Sequence, residues 1–79
     1  MAELSEHEKA VLSLLAEEWE RAGPPGFLET AAVAEALGIS PAEARTAIRS
    51  LFTKGLAGTD KVDTFAAFLT PEGYEAARE

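Results

Sequence analysis

Seventy-nine residues with 14 acids, 7 lysines and arginines and no cysteine read as one small acidic domain over residues 1–79, without disulfides or thiolate metal sites. The net charge of −7 repels phosphate at long range, so nucleic acid is not the default partner of the chain as a whole. The longest apolar run, residues 65–69, is far too short to span a bilayer, and no basic and apolar leader follows Met1, which fits a cytoplasmic protein that meets no membrane.

The charge is unevenly spread. Residues 1–40 carry eight acids and two bases, residues 41–70 three acids and four bases, and residues 71–79 three acids and one base. The acid therefore sits at the two ends, and the middle is close to neutral.

Ser5-Glu6-His7-Glu8 has the spacing of a capping box, in which a serine hydroxyl and a glutamate three residues on satisfy each other's backbone amides. It predicts a helix running to about Ala22, stopped by Gly23 and by Pro24-Pro25. On that helix Leu4, Val11, Leu12, Leu14, Leu15, Ala16, Trp19 and Ala22 cover an arc of roughly 200°, wider than the ~100° stripe of a surface helix. Either the helix is wedged between two layers of its own domain, or part of the arc (Leu12, Ala16 and Trp19) meets a second subunit.

Residues 23–26, Gly-Pro-Pro-Gly, read as a rigid turn, and residues 27–29 as a short extended piece. Thr30 is expected to cap a compact helix over 31–37, with Val33, Ala34 and Leu37 on one face and Gly38 as its stop. Ser40-Pro41-Ala42-Glu43 is a second capping box, with proline at the first helical position, where a missing amide costs nothing. The helix it starts runs to about Lys54, with Ala44, Ala47, Ile48 and Leu51 as its inward stripe and Gly55 as its end.

Beyond Gly55 the period changes. Residues 56–59 and 64–70 alternate as strands of a hairpin, with 60–63 as the turn. Thr70-Pro71 opens a last short helix through Tyr74 to Arg78. The expected fold is thus α+β and mostly α: a three-helix core, a two-stranded wing and a short C-terminal helix.

The tight turn Gly38-Ile39-Ser40 between two helices, followed by a hairpin, is the order of a helix-turn-helix with a wing. The chain resembles the winged helix-turn-helix regulators, and among them the MarR-like branch. The resemblance is carried by residues 30–40, then Ala44, Ile48, Leu51 and Lys54-Gly55-Leu56, and by Leu69-Thr70-Pro71-Glu72-Gly73 at the strand-to-helix ending. It covers about residues 28–75.

That resemblance implies a bacterial transcription regulator that binds duplex DNA, as a dimer, through the helix at 41–54 in the major groove and the wing in the minor groove. Its DNA-facing residues would be Ser40, Pro41, Ala42, Arg45, Thr46 and Arg49, with Lys54 and Lys61 supporting the backbone. Arg45 and Arg49, four apart, share one helix face, and a guanidinium there suits guanine or phosphate. Ser40 and the free amides beside it suit phosphate. Glu43, in the first turn, stabilises the helix and repels phosphate. Arg45, Arg49, Lys54 and Lys61 together give about four phosphate contacts per chain and a log–log salt slope near −3.6, or about −7 for a dimer.

A second reading keeps the fold and drops the DNA: an acidic protein-interaction module, with Trp19, Phe52 and Phe68 as contact residues. Phe52 either packs on the wing or anchors a partner. Phe65 and Phe68 fall on opposite faces of their strand, so at least one is half-buried. Glu3 and His7 are the one conceivable metal pair, and a first-turn surface histidine is the plainer reading; no metal or cofactor is expected. One histidine, no cysteine and no glycine-rich phosphate loop leave no catalytic constellation, so no enzyme is expected.

Overall fold

The computed structural model of the chain describes residues 4–59 and 66–78. Helix α1 (Glu6–Ala22) starts at the first capping box: the Ser5 hydroxyl accepts from the Glu8 amide at 3.1 Å, and the Glu8 carboxylate accepts from the Ser5 amide at 2.7 Å. Its last turn closes on Gly23, whose amide donates to the Trp19 carbonyl at 2.8 Å. Gly26 then returns the chain against α1. Its φ is +71°, and an added Cβ would sit 2.6 Å from the Leu15 carbonyl oxygen, so only glycine fits this close approach.

The extended piece after it is a strand, β1 (Leu28–Glu29), and it is not isolated. It pairs antiparallel with β3 (Ala66–Leu69), which pairs on its other edge with β2 (Ala57–Thr59), giving the order β1-β3-β2. Three strands therefore stand where a two-stranded wing is expected. The central strand β3 has two edges of backbone donors and acceptors, and β1 satisfies the one that a hairpin alone would leave open.

Helix α2 (Thr30–Leu37) begins one residue earlier than expected. Thr30 is its first helical residue and is buried, while Glu29 holds the cap position without a side-chain hydrogen bond. Gly38, left-handed at φ 68°, ends it, and the Ile39 amide reaches back to the Ala34 carbonyl at 3.1 Å. Helix α3 (Pro41–Thr53) follows directly from its own capping box.

Helix α4 (Pro71–Arg78) is fastened at its start. The Thr70 hydroxyl accepts from the Gly73 amide at 3.0 Å and donates to the Gly55 carbonyl at 2.8 Å. α4 then packs along α1 and β3, where the Tyr74 ring stacks on Trp19 with centroids 4.7 Å apart.

The core lies where these elements meet. Val11, Leu12 and Leu15 of α1, Val33 and Ala34 of α2, Ala44, Ala47, Ile48 and Leu51 of α3, and Ala57, Ala67 and Leu69 of the sheet are buried together. Leu4, Leu14, Ala16 and Trp19 pack half-buried around them. Most of the apolar arc of α1 is thus used within the chain, because α1 touches α2, α3, α4 and β3 at once, while Ala22 is exposed. Among the described residues, no helix is long and apolar enough to cross a membrane.

Candidate nucleic-acid interface

Helix α3 has two faces. Ala44, Ala47, Ile48 and Leu51 recur at helical spacing and are all buried, against α1, α2 and β2. Arg45, Thr46 and Arg49 alternate with them in sequence and are exposed on the other side. At 100° per residue the two guanidinium groups stand one turn apart on a common outer face, with Thr46 beside them. Phe52 extends the stripe by three residues and is 48% exposed. The helix is closed at its far end by the Thr53 hydroxyl, which donates to the Arg49 carbonyl at 3.0 Å.

The near end carries its own capping box. The Ser40 hydroxyl accepts from the Glu43 amide at 3.1 Å, and the Ser40 amide donates to the Glu43 carboxylate at 2.9 Å. Pro41 has no amide to offer. Hydrogen bonding to the carboxylate from the Ser40 amide and from the Ser40 side chain, helped by His7, holds the Glu43 carboxyl below its ordinary value of 4.5.

Lys54, expected at the DNA backbone, has its ammonium 2.7 Å from the Glu8 carboxylate. Glu8 is only 5% exposed. Its two oxygens take hydrogen bonds from the Ser5 amide, the Ser50 hydroxyl at 2.6 Å and Lys54. Burial alone would raise its pKa, but these donors outweigh it and bring the value down to about 2. The charge of Lys54 is therefore spent inside the fold, joining the start of α1 to the end of α3. Lys61 lies outside the described residues, as do Glu3, Phe65 and the turn at 60–63.

The aromatic contact candidates have separate fates. Trp19 is stacked on Tyr74, whose hydroxyl donates to Glu20 at 2.6 Å. Phe68 is half-buried, and its ring lies across its cross-strand partner Gly58: a Cβ there would be 2.3 Å from the ring. Phe27, which carries no contact expectation from sequence, is the most exposed large apolar side chain among the described residues at 55%. Glu8 is the second residue missed. The signal for it was present, since Glu8, Val11, Leu12 and Leu15 share one helical stripe. Among the described residues no group of three or more histidine, cysteine or acid side chains is placed to hold a metal.

The arrangement of α2, the turn at Gly38 and α3, with a sheet closing the core, recurs in solved structures. A variant of Lactococcus lactis ZitR superposes with a TM-score of 0.75 at 26% identity, over 98% of this chain and 50% of that one. The adhesin competence repressor AdcR of Streptococcus pyogenes superposes with a TM-score of 0.73 at 28% identity, over 96% of this chain and 54% of that one. The fold is a winged helix-turn-helix. This winged-helix chain spans about half the length of the structures it matches. No protein-family model matches the sequence, and neither does any curated protein.

Proposed function

We propose that this winged-helix chain is a non-catalytic regulator module of the MarR-like branch that binds duplex DNA through the outer face of α3, as a dimer, in a bacterial cytoplasm. We take residues 1–79 as a single domain. The observation that carries this reading is the exposure of Arg45, Thr46 and Arg49 on one side of a helix whose other side is wholly buried. A helix so placed can enter a major groove about 12 Å wide without disturbing the core. The guanidinium groups would meet guanine edges or phosphates, and Thr46 a base or a phosphate. The likeness to a repressor adds support.

Because Lys54 is paired within the fold, α3 itself offers two phosphate-neutralising groups per chain. The salt slope from α3 should then be about −1.8 per chain and about −3.6 for a dimer. A labelled random-sequence duplex titrated at about 50 mM and about 200 mM salt tests this. Binding should weaken by about one decade per chain across that range. No association at low salt would reject the reading.

The exposure of Phe27 and Phe52 favours a second reading, a protein-interaction module of the same fold. Salt-insensitive capture of a protein partner, lost on Phe52→Ser, together with no DNA binding, would favour it.

A further inference from the structure

A helix start normally offers free amides to a phosphate. At α3 the Glu43 amide is engaged and Pro41 has none, which leaves the Ala42 amide next to the Glu43 carboxylate at the helix start. The Glu43 amide is held by the Ser40 hydroxyl, and the Ser40 amide is held by the Glu43 carboxylate. The carboxylate of Glu43 is therefore folded back over the helix start, where an incoming phosphate oxygen would lie. Glu43 is exposed and is one residue from Ala44 at the buried face and two from Arg45 on the outer face, so a DNA backbone crossing the helix start would meet its charge.

We infer that Glu43 is a specificity-determining residue of the α3 interface: its charge, held at the start of α3, opposes a phosphate there and leaves docking to Arg45 and Arg49. This inference rests on the DNA reading above. Its consequence is weak sequence-independent binding. Phosphate anchoring adds affinity on every sequence alike, whereas base contacts by the arginines distinguish sequences. A chain that withholds the first depends more on the second. His7 faces Glu43 across a groove of about 430 Å³ between α1 and α3, also bordered by Ser5, Thr46 and Ser50. Glu8 lines the same groove and Ser40 caps the helix beside it; the groove's lining includes no lysine or arginine.

Glu43→Gln is the direct test. Glutamine keeps the capping box, since its amide oxygen reaches the same Ser40 amide, and removes only the charge. Random-sequence duplex is titrated against the wild type, Glu43→Gln and Glu75→Gln at several salt concentrations, with thermal melts to confirm folding. Glu75, on α4, changes the net charge equally but lies on a helix packed against α1 and β3. Glu43→Gln should bind about fivefold more tightly per chain, the effect of one like charge removed at about 4 Å in water. The gain should be largest at low salt and shrink as salt rises, because repulsion between exposed charges is screened. Equal affinity and slope in all three proteins would overturn the inference and leave the DNA reading standing. An equal gain in both variants would also overturn it, as a general charge effect. Absence of binding by all three at low salt would reject both readings.

Discussion

The Glu8 carboxylate and the Lys54 ammonium meet at 2.7 Å across 46 residues of sequence. They tie the first turn of α1 to the residue that ends α3, and the Ser50 hydroxyl reinforces the same carboxylate. The end of α3 is thus fastened directly to the start of α1. Partly buried pairs of this kind hold geometry, and breaking them leaves a charge without its partner.

Lys54→Ala is accordingly a stability variant. It should lower the unfolding free energy by about 1–3 kcal/mol, the cost of leaving a buried hydrogen-bonding group unsatisfied. Because the ammonium is engaged by Glu8, the same variant should bind DNA with an unchanged salt slope. Chemical denaturation gives the first quantity and a salt titration the second; a slope reduced by about 0.9 per chain would instead put Lys54 on a phosphate.

The same carboxylate sets an acid limit. Glu8 falls from 4.5 to about 2 on folding, so the folded state favours its ionised form. That contribution is complete above about pH 4.5 and is lost as pH falls toward 2. It is on the order of 3 kcal/mol. Melting temperature should drop through this window, and Glu8→Gln, less stable at neutral pH, should show a flatter acid limb. An equally steep limb in that variant would place the acid sensitivity elsewhere.

Gly73→Ala tests how α4 is seated. An added Cβ would lie 1.8 Å from the Leu56 carbonyl oxygen and 3.0 Å from Leu69, so the helix must move off the sheet. The expected cost is about 3 kcal/mol or more. It should also disturb the stack between Trp19 and Tyr74, so Trp19 fluorescence should change in the folded variant. An unchanged melt and spectrum would contradict this packing.

Much of the architecture is written locally. Ser5 with Glu8 and Ser40 with Glu43 announce two helix starts, Gly23 and Gly38 announce two ends, and the spacing of Ala44, Ala47, Ile48 and Leu51 gives the buried face of α3, and with it the exposed arginines. Those signals act within a turn or two, where geometry follows from sequence distance. The missed features depend on partners far away. The short extended piece at 27–29 is legible, but its pairing is not, because Ala67, which lies opposite Leu28, is far away in sequence. Lys54 turns inward because Glu8 is there to receive it, and neither residue reveals the other.

Two further substitutions test α3 directly. Leu51→Ala, at a fully buried site, should cost about 2–5 kcal/mol through a core cavity. Ser40→Ala should cost about 1 kcal/mol through the lost cap. Thermal and denaturant unfolding measure both; a neutral Leu51→Ala would place the wrong face of α3 inward.

The central claim is that the outer face of α3 binds duplex DNA. The most direct measurement compares wild type with Arg45→Ala/Arg49→Ala on the same duplex at about 50 mM salt, with melting curves showing both folded. Both side chains are exposed, so the double variant should melt like wild type yet lose detectable binding. Equal binding by the two proteins would contradict the account.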